Sequence, residues 1–210
     1  MNDPGIASPD ENSLVTAART LAASFLGDLG PRWQHTCGVA GRATTAAPVL
    51  AVAQRPVLVA AAWLHDIGYA PQIRRSGFHP LDGALYLQDE GWEPSVAGLV
   101  AQHSGSGLVA HLLHLDEEMS RFPVSVYGTG PAADALTYAD QTTDPDGRPV
   151  DVEDRLADML RRHGVDSPNG RSHVPRSELI RGAVRRTEER LERAHRAPGS
   201  SGQGDAADGQ

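Results

Sequence analysis

Residues 58–71 read LVAAAWLHDIGYAP, a run of seven apolar or small side chains that closes on a histidine and an aspartate, His65 and Asp66. The run is apolar on nearly every side of a helical period, and Pro56 stands at its start, so it reads as a helix central to the core. Either polar side chain buried alone at its end would lose hydration without return, so the pair needs partners.

Outward from this stretch the chain gives one helical pattern after another, and nothing alternates convincingly with a period of two. Towards the N-terminus lies NSLVTAARTLAASFLGDLG, where Asn12 is expected to cap and Leu14, Ala17, Leu21 and Phe25 share a face. Pro31 opens a second helix in RWQHTCGVAGRATTAAPVLA. Towards the C-terminus, helices are expected at PLDGALYLQDEG, PSVAGLVAQHSG, LVAHLLHLDEEMSRF, AADALTYADQTT, VEDRLADMLRRHG and SELIRGAVRRTEERLERAHR, with Gly, Pro or Ser between them. The fold class is therefore all-α. One helical domain is expected over 11–196, with a core of about 30–145 and C-terminal helices over 151–196. Residues 1–10 and the tail APGSSGQGDAADGQ, 197–210, are too poor in apolar side chains to pack and are expected to be disordered. No internal repeat is present.

Composition removes several function classes. With 210 residues and 40% hydrophobic content there is enough chain for one sizeable core. The formal net charge of −8 offers no basic field to a nucleic-acid duplex. No run approaches the roughly 20 apolar residues of a membrane span, and MNDPGIASPDEN lacks the order of a secretory signal, so a cytoplasmic protein without membrane partners is expected. Cys37 is the single cysteine, which excludes an internal disulfide. All 19 Lys-plus-Arg positions are arginine, so Schiff-base chemistry and a lysine-dependent phosphate loop are absent. GxSxG, GxGxxG and HExxH are absent too, leaving any catalysis to acid–base and metal-binding side chains.

Those side chains gather in apolar contexts. His35 is followed by TCGVAGRA, His65 and Asp66 by IGY, and Asp140 stands at the end of ALTYA. Isolated ionisable groups are costly in such segments, whereas imidazoles and carboxylates around a divalent cation compensate one another. His79, opening HPLDGALYL, and His103, closing GLVAQ, add two imidazoles at helix ends, with Gly83, Gly98, Gly105 and Gly107 nearby. His111, His114, His163, His173 and His195 have amphipathic or exposed surroundings and are left outside the site.

An isolated His, a His-Asp doublet and a distant Asp on a helical bundle resemble the HD-domain metal-dependent phosphohydrolases, over about residues 30–145. Here the pattern is His35 in RWQHTCGVA, His65-Asp66 in WLHDIG and Asp140 in LTYADQTT. The resemblance implies a divalent metal (iron, manganese or another transition metal, with magnesium possible) and hydrolysis of a phosphate ester or anhydride, often in a nucleotide. FHPLDGAL and AQHSG are similar to segments of the two-metal branch, the HD-type diadenosine tetraphosphate hydrolases and the cyclic-di-nucleotide phosphodiesterases. By that likeness Asp66 bridges two metals, with His35, His65 and Asp140 on one and His79 and His103 on the other. The chain departs from both: HDIGY lacks the lysine common after the doublet in the former, and Ala70 follows Tyr69 where the latter has a Gly-Tyr-Pro signature. Neither substrate carries over.

On this reading His65 and Asp66 are the catalytic pair, and the substrate is a small phosphorylated compound of nucleotide type. Without lysine the phosphate clamp falls to arginine, and Arg32, Arg74, Arg75 and Arg148 are near the ligand segments in sequence. Gln141, Thr142 and Asp144 follow Asp140 as further candidates at the mouth. Two other readings keep the same fold: a di-iron oxygenase or lyase, and a non-catalytic binding module whose metal is structural.

Overall fold

The computed structural model describes residues 11–196; the expectations for 1–10 and 197–210 lie outside them. Among the described residues the fold is all-helical, with a single isolated bridge between Thr143 and Pro149. In chain order the helices are α1 Glu11–Leu26, α2 Pro31–Ala46, α3 Arg55–Leu64, α4 His79–Asp89, α5 Pro94–Gln102 and α6 Ser106–Leu112. Then come α7 Asp116–Met119, α8 Val124–Tyr127, α9 Pro131–Gln141, α10 Val152–His163, α11 Pro168–Arg171 and α12 His173–Arg196.

Proline sets many of the starts. α2, α3, α4, α5, α9 and α11 each carry one in the first turn, where its missing N–H would have had no partner and its fixed φ is already helical. Asp151 caps α10 by accepting from the Glu153 N–H at 2.8 Å. Helix α1 begins at Glu11, so Asn12 lies inside it, and its fully buried stripe is Ala18, Ala22 and Leu26, with Ala17 turned out. The run expected as one helix over LVAHLLHLDEEMSRF is broken, because His114 takes a left-handed conformation (φ 59°) between α6 and α7.

As its sequence requires, α3 is the central helix. Leu58, Ala60, Ala61, Ala62 and Leu64 are fully buried, and α1, α2, α5 and α9 pack around it. The C-terminal helices form a second layer with a small apolar cluster of Leu156, Met159, Ile180 and Val184 between α10 and α12. Buried Asp134 of α9 ties α12 down, accepting from Arg186 Nε and Nη2 at 2.9 and 2.6 Å and from Arg190 Nη1 at 2.8 Å. No helix among the described residues is long and apolar enough to cross a membrane.

Candidate metal centre

The ends of α3 and α5 and the start of α4 meet α2 and α9 at one point. His65 and His103 stand immediately after the last residues of α3 and α5, where final carbonyls lack intrahelical donors. Each ring turns back on its own helix: Nδ1–H of His65 donates to the Ala62 carbonyl at 2.8 Å and that of His103 to Val100 at 2.6 Å. His35, inside α2, donates its Nδ1–H to the Asp144 carbonyl at 2.9 Å. A carbonyl only accepts, so the proton is on Nδ1 in all three rings, and the neutral ring presents a bare lone pair at Nε2. Metal-bound imidazoles are oriented in this way. His79 completes an arc in which His35–His65, His65–His103 and His103–His79 ring centroids are 5.5, 5.3 and 5.4 Å apart.

Two buried aspartates face this arc. Asp66 Oδ2 lies 3.4 Å from His65 Nε2, and its other oxygen, Oδ1, lies 3.3 Å from His79 Nε2. Arg32 Nη1 donates to Asp66 Oδ2 at 2.5 Å, and the same guanidinium lies 4.1 Å from the centre of the Tyr69 ring, which stacks on His79. Asp140 Oδ2 accepts from Gln141 Nε2 at 2.7 Å and from the Ser104 hydroxyl, leaving Oδ1 3.1 Å from His35 Nε2. Ser104 is held at φ 52°, a conformation rare for a residue with a side chain, and that places its hydroxyl on Asp140.

Electrostatics follow from burial and neighbours. Burial opposes the charge on Asp66, but His65 and Arg32 outweigh it and hold the carboxyl well below its ordinary value. Asp140 is likewise held well below, burial being outweighed by His35, 3.1 Å away, and the other nearby imidazoles. Burial moves His79 well below 6.5 and lowers His103, keeping both neutral and able to ligate. Burial and the charge of Asp66 push the Tyr69 phenol up to about 12, so it keeps its proton at neutral pH.

These contacts leave two anomalies. The Nε2 of His65 is buried without a hydrogen-bond partner, and His35 Nε2 meets Asp140 Oδ1 as one acceptor against another unless positive charge lies between them. A cation would relieve both. Ligand atoms of His35, His65 and Asp66 lie within 4.8 Å of one another, as do those of Asp66, His79 and His103, with Asp66 common to both groups. The HD domain family matches residues 32–163, more than half of the chain. The chain belongs to the HD domain family. The HD domain family is one of metal-dependent phosphohydrolases that bind divalent cations, and the match runs past the 30–145 core that the motifs mark out. No curated protein and no solved structure matches the chain.

The site opens into a cleft of about 340 Å³ lined by Arg32, His35, Asp66, Tyr69, His79, His103, Asp140 and Gln141, and by Arg155, Arg162, His163, Asn169 and Arg176 of the C-terminal segment. Thus the six expected ligands and Arg32 come together, and three of the expected arginines do not. Arg74 is exposed and donates to the Tyr69 carbonyl at 3.4 Å, Arg75 pairs with Asp89 on the surface at 2.7 Å, and Arg148 is exposed on the turn after α9. Loop position puts all three near the ligands in sequence while their side chains turn to solvent. Gln141 reaches the site, Thr142 donates instead to the Tyr138 carbonyl at 2.6 Å, and Asp144 contributes its backbone oxygen. His163, set aside above, lines the cleft. His111, also set aside above, is on the surface with Asp116 at 3.0 Å.

The sequence reading missed Arg155 and Arg176, yet both carry a signal. Val152, Arg155, Leu156 and Met159 form the i, i+3, i+4, i+7 stripe of α10, and Arg176, Ser177, Ile180 and Val184 lie along that of α12. A guanidinium on a core-facing stripe marks a charge that something must meet.

Proposed function

We propose that the chain is a phosphohydrolase that cleaves a phosphate ester or anhydride of a small, nucleotide-like molecule at a two-metal centre. The observation that carries this reading is the division of Asp66, whose two oxygens stand beside different imidazoles, His65 and His79. His35, His65 and Asp140 would hold one cation and His79 and His103 the other, with Asp66 available to both. Four imidazoles with two carboxylates suit iron, manganese or another transition metal better than magnesium, which prefers oxygen donors. When bound, such a pair neutralises a phosphoryl group and lowers the pKa of the water that attacks phosphorus.

The chain's own residues supply position and charge. Backbone carbonyls fix three rings with Nε2 forward, and Ser104 and Gln141 fix Asp140. Arg32 and the protonated Tyr69 face the cleft and offer donors to phosphate oxygens. Residues 11–196 then act as one unit, because the C-terminal helices complete the cleft. Its volume, about 340 Å³, is at the lower end of the roughly 300–1,000 Å³ of small-molecule sites and favours a mononucleotide-sized substrate. The arginine-rich wall favours phosphate over oxygen chemistry at the same donors.

The test is metal analysis of protein purified without chelators, joined to a screen of nucleotides and dinucleotides for phosphate release. Asp66→Ala is expected to lose both metal and hydrolysis, and retention of both in this variant overturns the reading.

A further inference from the structure

The C-terminal wall of the cleft holds two guanidinium groups that no carboxylate meets at hydrogen-bond distance. The Arg155 side chain is 9% exposed, and its Nε and Nη1 are buried with no hydrogen-bond partner. The carboxylates beside it are at the limit of an ion pair, Asp140 Oδ1 at 3.9 Å from Nη2 and Asp158 Oδ2 at 4.0 Å from Nη1. Both are already engaged: Asp158 by Arg161 and Arg162, Asp140 by His35, Ser104 and Gln141. Arg176 gives Nε to the Ser104 carbonyl at 2.7 Å and Nη1 to Asn169 Oδ1 at 2.9 Å, both neutral acceptors. Arg155 and Arg176 line the same cleft, where burial foremost, and the charge of Arg155 with it, disfavours the charge on Arg176. Arg155 is buried and short of acceptors, Arg176 is half-buried with only neutral ones, and the pair lacks an anion at hydrogen-bond distance.

We infer that Arg155 and Arg176 form a second anion subsite beside the metal centre, and that the substrate carries two linked phosphates, one for each. The inference rests on the phosphohydrolase reading for the first phosphate only. One phosphoryl group brings three oxygens, already engaged by two cations and Arg32, with few lone pairs to spare for the five N–H donors of Arg155 and the three that Arg176 keeps beyond its bonds to Ser104 and Asn169. A neighbouring phosphate has them, and matches the planar fork of arginine. Arg162, paired with Asp158, lines the same wall in a chain whose overall charge is −8. The substrate class is a small diphosphate or longer phosphoanhydride rather than an isolated monoester.

Calorimetric titration of the metal-containing full chain with orthophosphate and with methylenediphosphonate, an uncleavable diphosphate, reads this directly. The diphosphonate is expected to bind at least about tenfold tighter, the scale of one charge-assisted hydrogen bond, and Arg155→Gln or Arg176→Gln to erase the preference. Equal affinities in the parent overturn the subsite. So does a preference that survives both substitutions, since the cations alone then account for it. If Arg176→Gln fails to fold for want of its bond to Ser104, Arg155→Gln decides alone. A chain that shows the arginine-dependent preference but hydrolyses no phosphate keeps the subsite and loses the hydrolase reading. One that hydrolyses an aryl phosphate without any preference does the reverse.

Discussion

Asp66 is the residue on which the centre turns, because His65, His79 and Arg32 all reach it and no other carboxylate is common to both ligand groups. The division of its oxygens sets a stoichiometry. His79→Ala is expected to lower bound metal from near two equivalents towards one, with activity falling alongside, whereas His35→Ala removes the other ion. Metal analysis of the two variants beside the parent checks this, and an unchanged single equivalent in His79→Ala removes the dinuclear reading. Arg32 has a double role that sequence spacing does not reveal, since one of its donors is engaged by Asp66 before any substrate arrives. Arg32→Ala should therefore lower kcat/KM by about ten- to a hundredfold, roughly 1.5–3 kcal/mol, and also weaken metal retention. Steady-state kinetics with metal content measured on the same samples separates this from a pure substrate contact, which leaves the metal untouched.

At the scale of elements the centre depends on two close backbone approaches that only glycine permits. A Cβ on Gly68, two residues after Asp66, would collide with the His79 carbonyl and the Gly83 nitrogen, so its absence lets the start of α4 bring His79 to Asp66. A Cβ on Gly38 would collide with the Gly147 carbonyl and push away the turn that carries the Asp144 oxygen to His35. Gly38→Ala is expected to cost about 1–3 kcal/mol and to weaken metal binding on the His35 side. Gly41→Ala, on the same helix with open space around the new Cβ, should instead stabilise by about 0.5–1 kcal/mol. Thermal melts of the two variants test the contrast, and equal losses would show that helix α2 tolerates no side chain at either position. The clustering of His35, His65, Asp66, His79, His103 and Asp140 was legible in the sequence because each lies within an apolar helix or at one end of it, and burial of an ionisable group there demands a partner. The arginine wall was not, since Arg74, Arg75 and Arg148 are near in sequence while Arg155 and Arg176 are near in space, delivered by α10 and α12 packing across α9. His114 shows a further limit: LVAHLLHLDEEMSRF keeps helical periodicity through the residue where the backbone turns left-handed.

The whole molecule gathers buried ionisable groups at its centre, and its response to acid follows from them. His79 and His103 are kept neutral by burial, with folded pKa values below the 6.5 of free imidazole. As pH falls below 6.5 the unfolded chain takes up protons that the folded chain refuses, so stability is lost from there towards the lower folded values. Asp66 and Asp140 act in the same direction further down. Held well below 3.8, they contribute stability that is present above that value and lost as pH falls through their folded pKa values. His65 opposes the two imidazoles, because Asp66 outweighs its burial and raises its pKa, giving stability present below 6.5 and lost as pH rises through the folded value. His163, its pKa also lowered by burial, sides with the two, so one ring stands against three and acid destabilises on balance. Protons compete with cations for the same nitrogens and oxygens, so metal release reinforces the trend. Chelator-treated protein is expected to show a melting temperature nearly level between pH 8 and about 7 that declines below about 6.5, and metal-containing protein to decline more steeply as its ions leave. Thermal melts across pH with metal content followed in parallel measure both. A melting temperature that rises on acidification through this window would place His65, rather than His79 and His103, in control of the centre.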